Sequence, residues 1–488
     1  MKISETQIDS IVSRVVEEYK ARQSPQSLPQ SSLQTKIHSQ VSTNSTNTTS
    51  SSGCFGSIED AVAASKRAFL QFQEVPVEQR IKIIAAIRKY ARDDVSRLAR
   101  DAREETGLGR VDDKIKKNIL AIDKTPGVED LHPIAFTGDN GLTIIEQAPY
   151  GVIGSITPCT NPSETIINNG IGMLAGGNTV VFNPHPSAKK ISAYTVSLLN
   201  RAIISEGGPA NLLATIIDPT IESAQKLMTN PDIALLVVTG GPAVVKQAMK
   251  SGKRVIAAGP GNPPVVVDET SDIEKAARDI VTSASMDNNI ICVLEKEIIV
   301  TEKAFAPLKK ALVAAAGAYE LSQFHGNRLA RLLVDESGHP NKNFVGKDIE
   351  VILSEVGINN VSSNVRLAFV ETEKNHPFAK TEMLMPILPL IRVSNIDEAI
   401  ALAFQLEAGC RHTAVIHSRN IESMHKMAVK MNTSIFVKNG PALAGLAFQG
   451  EGPTSFTIAS PTGEGVTTAR HFVRSRRCVL SNGYFRIV

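Results

Sequence analysis

Cys292 has the setting of a nucleophile in this 488-residue sequence. It closes the run Ser285-Met286-Asp287-Asn288-Asn289-Ile290-Ile291-Cys292, after a helical pattern over Ile273 to Ser285 and before a strand pattern over Glu297 to Val300. A thiol on an irregular link of that kind is accessible. Its thiolate is the reactive form, so the free pKa of about 8.5 must be lowered by nearby dipoles or charges. Taken alone, a buried structural cysteine is the simpler reading, and two other segments shift the balance. Thr157-Pro158-Cys159-Thr160-Asn161-Pro162 follows a strand pattern over Val152 to Ile156. The Asn161 carboxamide NH₂ suits a developing oxyanion, although Asn before Pro is also ordinary turn chemistry. Val237-Val238-Thr239-Gly240-Gly241-Pro242 ends a strand and opens a helix. Its glycines admit close approach of a ligand and a helix N-terminus favours phosphate, but the full G-x-G-x-x-G spacing is missing.

Other reactive groups carry less. His185, between two prolines, and His412, in Cys410-Arg411-His412-Thr413, are candidates for ligand contact; a satisfied structural histidine is the simpler reading of each. Cys159 reads as a bystander thiol beside Asn161. Asp287, Asn288 and Asn289 read as shaping the loop around the thiol. The run Lys114-Ile115-Lys116-Lys117 reads as a solvated helix face.

The elements that must position these groups follow from periodicity. Ser57-Ile58-Glu59-Asp60 opens a helix carrying Ala61, Ala64, Phe69 and Phe72, and more helices follow to about Asn118. Leu142 to Ile156 is β-rich around Tyr150-Gly151. An alternation comes next: strand Thr179 to Phe182, helix Ala188 to Ile204, strand Leu212 to Ile217, helix Ile221 to Met228, strand Ala234 to Val238, helix Ala243 to Met249. A second series starts at Pro264-Val265-Val266-Val267 and runs to about residue 440. Alternation of this kind indicates βαβ units and mostly parallel sheets, here two α/β lobes with a cleft at their junction. Phe472 to Val488 reads as a strand. Ahead of the body, Ile8, Ile11, Val12, Val15, Val16 and Tyr19 form the apolar stripe of an amphipathic helix over residues 3–20. Residues 23–52 are mostly Gln, Ser, Thr, Asn and Pro, too polar to offset the entropy of ordering. Such a tethered helix either docks on a partner or packs back on its own enzyme or a sister subunit.

Composition excludes several classes. The formal net charge is +3, with 42% hydrophobic and 21% charged residues, so no broad attraction to nucleic acid or anionic membrane follows. No apolar run approaches the roughly 20 residues a spanning helix needs, and no secretory signal is expected. The five cysteines, far apart and without a C-x-x-C pair, favour reduced thiols in a cytosolic setting over a disulfide framework or a metal knuckle.

The order and spacing of these pieces from about residue 55 onward resemble the aldehyde dehydrogenase superfamily. More closely, they resemble the CoA-acylating aldehyde dehydrogenases of bacterial microcompartments that serve ethanolamine and propanediol breakdown. The segments that carry this closer likeness include Glu105-Thr106-Gly107-Leu108-Gly109-Arg110, Thr125-Pro126-Gly127-Val128-Glu129, Thr137-Gly138-Asp139-Asn140-Gly141-Leu142-Thr143, Pro184-His185-Pro186, Gly259-Pro260-Gly261-Asn262-Pro263-Pro264, Phe436-Val437-Lys438-Asn439-Gly440-Pro441 and Pro461-Thr462-Gly463-Glu464-Gly465-Val466-Thr467, together with the segment ending at Cys292.

The resemblance implies an α/β aldehyde dehydrogenase fold: a Rossmann-like NAD-binding lobe over residues 53–262, interrupted by a flap at 131–150; a catalytic lobe over 263–460; and a C-terminal oligomerisation segment over 461–488. The flap and that segment imply a homodimer or homotetramer. The N-terminal helix (1–20) and linker (21–52) are similar to tags that route such enzymes into a protein shell, which implies shell proteins as partners and a microcompartment lumen as location. Cys292 implies the nucleophile and Asn161 the oxyanion donor. Thr157, Pro158, His185, Pro186 and Thr239 imply a cofactor site, with Gly240 and Gly241 as its pyrophosphate turn. Ala258, Gly259 and the nicotinamide-ribose carboxylate Glu382, in Glu382-Met383-Leu384-Met385-Pro386, complete it. No metal is implied. Hydrolytic members carry a water-activating Glu in Glu-Leu-Gly-Gly; Ala258 stands in its place here, and loss of a positioned base costs water attack on the order of 10²–10⁴-fold. A thiolate needs no such base, which favours CoA as acyl acceptor for a small aldehyde oxidised with NAD. Asn183 stands near where many members place a Lys on the adenosine ribose, so NAD over NADP rests on the resemblance alone; Met286 replaces an aromatic common there, which implies an aldehyde pocket of different shape. The alternatives are a hydrolytic NAD-dependent aldehyde dehydrogenase and a shell-binding scaffold with a decayed site.

Overall fold

The computed structural model describes residues 52–314 and 318–483. These residues belong to the compact unit Thr49–Val488. The expected helix over 3–20 and most of the linker lie outside the described residues.

Local signals set the first elements. Ser57 caps the helix Ile58–Phe72, its Oγ accepting the Asp60 N–H at 3.1 Å, with Glu59 and Asp60 in the positive first turn. Its alanine face, Ala61, Ala64 and Ala68, is buried, which lets it lie close against the strands it packs on.

Two parallel sheets form the body. The first has six strands in the order Cys54–Phe55, Leu213–Ile216, Thr179–Pro184, Val152–Thr157, Ile233–Thr239, Arg254–Ala258. Its central strands are buried on both faces, as continuous apolar runs in a helix-covered parallel sheet must be. Successive strands step one way from Val152–Thr157 and then the other way from Ile233–Thr239. A crevice therefore opens at the C-terminal ends of these two neighbours, the place where open α/β sheets bind ligands. The second sheet has seven strands in the order Ala318–Leu321, Leu367–Glu371, Ile387–Val393, Glu297–Thr301, Pro264–Val267, Thr413–His417, Ile435–Lys438. Residues 259–263 lead from Arg254–Ala258 of the first sheet to Pro264–Val267 of the second. The C-terminal edge of the first therefore leads directly to the N-terminal edge of the second.

A third, antiparallel sheet combines Ile134–Gly138, Gly141–Pro149 and Val473–Ser481, with Ile145 opposite both Ile134 and Arg477. The tail strand adds a third strand to what would be a marginal hairpin. Ile134, Phe136, Val479 and Leu480 remain exposed on it. Among the described residues no helix is long and apolar enough to cross a membrane.

Candidate active site

The ends of four adjacent strands of the first sheet carry the expected ligand-facing segments. Val152–Thr157 delivers Thr157, whose buried Oγ1 has no partner among the described residues, and whose carbonyl accepts the His185 N–H at 3.0 Å. Pro158 and Cys159 follow, both partly buried. Thr179–Pro184 delivers His185 and Pro186, which stay exposed at the start of a short 3₁₀ turn; His185 Nδ1 accepts the Ser187 N–H at 3.1 Å. At the end of that strand, buried Asn183 accepts the Ser223 hydroxyl at 2.6 Å, so no cation stands there.

Ile233–Thr239 and Arg254–Ala258 pair Thr239 with Ala258, and Gly240 N–H donates to the Ala258 carbonyl at 3.3 Å. Gly241 then opens the helix Pro242–Met249, and a Cβ there would meet no atom within 4 Å. An open glycine turn at a helix N-terminus, beside an unpartnered Thr157 hydroxyl, fits a dinucleotide pyrophosphate. Ala258 is buried and offers only a methyl group. Gly259 sits against Pro461, whose Cγ would lie 3.0 Å from an added Cβ.

Asn161 occupies the N-cap position of the helix Pro162–Ala175, yet its side chain makes no cap. Its Oδ1 instead accepts from Lys117 Nζ at 2.7 Å, while Nδ2 donates to Thr160 Oγ1 at 3.1 Å. An ammonium has no acceptor, so the carbonyl oxygen must face Lys117. The second Nδ2 hydrogen is left for a ligand oxygen.

The loop before Cys292 departs from ordinary backbone geometry. Asp287, Asn288 and Asn289 follow one another at φ of 47°, 56° and 65°. Asn and Asp tolerate this left-handed region best, and here their side chains pay for it locally. Asp287 accepts from Arg110 N–H at 2.7 Å and Lys114 at 3.1 Å, and forms an ion pair with Lys117 at 2.5 Å. Asn288 Nδ2 donates to Gly346 O and Asp348 Oδ1, both at 3.0 Å. Asn289 Nδ2 reaches the Ala284 carbonyl at 2.7 Å. From the other side, buried Lys296 holds Asn289 O at 2.9 Å, Asn289 Oδ1 at 2.5 Å and Ile291 O at 3.1 Å. Desolvation would raise the Asp287 carboxyl, but the two lysine charges hold it below the usual carboxylate value.

Cys292 keeps some exposed surface, but the chain packed around it desolvates the thiolate. Burial pushes the thiol up to about 12, the Glu382 charge adds to this, and Lys296 and Lys117 pull it down. Glu382 Oε1 accepts the Gly261 N–H at 3.3 Å; burial raises its own carboxyl above the usual value. An added Cβ on Gly261 would lie 2.9 Å from the Cys292 carbonyl oxygen and 2.9 Å from His412 Cγ. The same link is pinned by Asn262, whose Nδ2 reaches the Leu406 and Ala379 carbonyls at 3.0 and 3.2 Å. His412 is buried with Nδ1 against Thr413 Oγ1 at 2.9 Å and Nε2 without a partner. Burial, and then the Lys296 charge, push its imidazole down to about 4, so the ring is neutral.

Two expectations are overturned. The Cys292 thiol is pushed up rather than down, because burial and the Glu382 charge outweigh the pull of Lys296 and Lys117. Lys114 and Lys117 are not part of a solvated face: they are 0% and 2% exposed, and only Lys116 of the run is open. Spaced three apart, they lie on the inner face of the helix Val111–Lys124, where Asp287 and Glu164 neutralise them. Lys296 was not singled out from the sequence; its signal was a charge standing between Glu295 and Glu297 inside a buried run.

Comparison with known proteins agrees with this geometry. A profile described as "Aldehyde dehydrogenase family" matches residues 31–330 and 367–461. The chain is 54% identical over 442 residues to acetaldehyde dehydrogenase (acetylating) EutE of Salmonella typhimurium, covering 89% of this chain and 94% of that protein. It is similar to the crystal structure of Rhodopseudomonas palustris propionaldehyde dehydrogenase with bound CoA and an acylated cysteine, at TM-score 0.86 and 46% identity, over 88% of this chain and 98% of that one. It is also similar to a propionaldehyde dehydrogenase from the fucose utilisation bacterial microcompartment of Clostridium phytofermentans, at TM-score 0.86 and 48% identity, with the same coverage. The chain belongs to the aldehyde dehydrogenase family.

Proposed function

We propose that this protein is a CoA-acylating aldehyde dehydrogenase that converts a short-chain aldehyde, acetaldehyde or propanal, with NAD and CoA to the acyl-CoA. The observation that carries the reading is the pairing of a desolvated nucleophile, Cys292, with a methyl group at Ala258 where a hydrolytic site needs a base. The Cys292 thiolate adds to the aldehyde carbonyl, and the Asn161 NH₂ and the Cys292 backbone N–H hold the resulting oxyanion. Bound NAD supplies the hydride acceptor. Gly240 and Gly241 leave room for its pyrophosphate, and Glu382 is the carboxylate for its ribose. The resulting thioester is opened by the CoA thiol. The neutral His412 imidazole, packed against Gly261 beside the Cys292 carbonyl and with Nε2 unpartnered among the described residues, is the group assigned to take that proton. Thr157, Pro158, His185 and Pro186 form the rim of the cofactor side. NADH formation measured with and without CoA, with chromatography of the product, tests the reading. CoA-dependent turnover to acyl-CoA supports it; CoA-independent release of free acid refutes it in favour of a hydrolytic enzyme.

The exposed Ile134, Phe136, Val479 and Leu480 on the antiparallel sheet support burial against another subunit, hence a homodimer or homotetramer; sedimentation as a monomer would contradict it. The apolar stripe of residues 1–20 and the polar 21–52 support delivery to the shell proteins of a microcompartment. Residues 1–52 fused to a fluorescent protein should co-purify with a cognate shell, and deleting residues 1–20 should leave turnover intact. Loss of turnover on that deletion would assign the helix to the enzyme.

A further inference from the structure

The buried ammonium of Lys117 touches both halves of the site. Its Nζ lies 2.7 Å from Asn161 Oδ1, 3.3 Å from the Thr160 carbonyl and 2.5 Å from Asp287 Oδ2. Glu164 Oε1 stands 3.4 Å away, an ion pair without a hydrogen bond. Asn161 belongs to the segment closing a strand of the first sheet, and Asp287 to the left-handed loop before Cys292. A primary amide can turn about its last bond and exchange its oxygen and nitrogen; the two orientations differ little unless a neighbour discriminates between them. Lys117 discriminates completely, because it can only donate. It also stands where Asn161 would otherwise spend its carbonyl on capping the helix Pro162–Ala175.

We propose that Lys117 is a positioning residue for catalysis, fixing the Asn161 carboxamide with its NH₂ toward the reacting carbonyl, its ion pair with Asp287 anchoring the ammonium in that place. The residue acts through Asn161 and need not touch substrate. The proposal rests on Asn161 as the oxyanion donor, and its test separates the two. The experiment is a double-mutant cycle in the full chain, read as the pre-steady-state rate of NADH formation with propanal and NAD, with circular dichroism to confirm folding. Asn161→Ala alone should slow that phase by about 10²–10³-fold, the cost of one oxyanion donor. Lys117→Met alone should slow it by about 10–100-fold, part of the same loss, with the KM for aldehyde little changed. In the Asn161→Ala background Lys117→Met should cost little more. Where the Met variant does not fold, Lys117→Gln, which keeps a polar group facing Asp287, takes its place in the cycle. An unchanged rate in Asn161→Ala would overturn the oxyanion assignment itself. A full effect of the Lys117 substitution in both backgrounds would leave Asn161 in place and overturn the role given to Lys117.

Discussion

The Gly261 N–H donates to Glu382 Oε1 at 3.3 Å, while the space a side chain would need at Gly261 is already taken by the Cys292 carbonyl and the His412 ring. One backbone position thus spaces the Cys292 loop, the Glu382 carboxylate and the neutral His412 imidazole. Gly261→Ala should displace the Cys292 loop or the imidazole by several tenths of an ångström. Small misplacements of reacting groups cost up to about 10²-fold, so kcat should fall by about 10-fold or more while the fold is retained. Unchanged kcat would show that the spacing does not matter.

Glu382 adds to the burial that pushes the Cys292 thiol up to about 12. A raised thiol pKa means that the thiolate fraction grows with pH throughout the neutral range. Alkylation by iodoacetamide in the absence of NAD should therefore climb about tenfold per pH unit without a plateau below about pH 10. Glu382→Gln removes a negative charge near the sulfur, so the same curve should move to lower pH. A plateau near pH 7 in the parent, or a shift to higher pH in the variant, would contradict this account of the thiol.

On the proposed reading Ala258, a buried methyl group, supplies no base for water. Ala258→Glu should raise the share of free acid in the product, by as much as 10²–10⁴-fold in the hydrolytic rate if the new carboxylate is well placed. Product analysis at limiting CoA reads this directly. An unaltered acid share with a folded variant would locate the bar to hydrolysis elsewhere.

His412, pushed down to about 4, is a weak base whose ring stays neutral at any pH above about 5, so its protonation state does not change across the neutral range. Transfer from pre-formed acyl-enzyme to CoA should therefore be nearly level from about pH 6 to 8. His412→Ala leaves only CoA thiolate from solution, so its transfer rate should rise about tenfold per pH unit. Equal slopes in the two enzymes would remove His412 from the transfer step.

Much of this was legible in the sequence because it is local. The strand–helix alternation gave Thr179–Pro184, Lys189–Ser205, Leu213–Ile216 and Ile221–Thr229 to within a residue or two. Asp287, Asn288 and Asn289 could be read as loop formers from their residue types, and their left-handed φ values agree. The buried lysines were not legible. Their partners are remote in the chain, Asp287 lying 173 positions from Lys114, and a run such as Lys114-Ile115-Lys116-Lys117 looks the same whether its face meets water or carboxylates. The diversion of Asn161 from helix cap to Lys117 was hidden for the same reason: a local pattern reports the cap position, and only the fold brings the competing donor.

The central claim is that Cys292 carries the acyl group and gives it to CoA. Enzyme quenched after mixing with propanal and NAD, without CoA, should show a propionyl adduct on the peptide containing Cys292, and adding CoA before the quench should discharge it as propionyl-CoA. An adduct on Cys159, or loss of the adduct to water as fast without CoA as with it, would contradict the account.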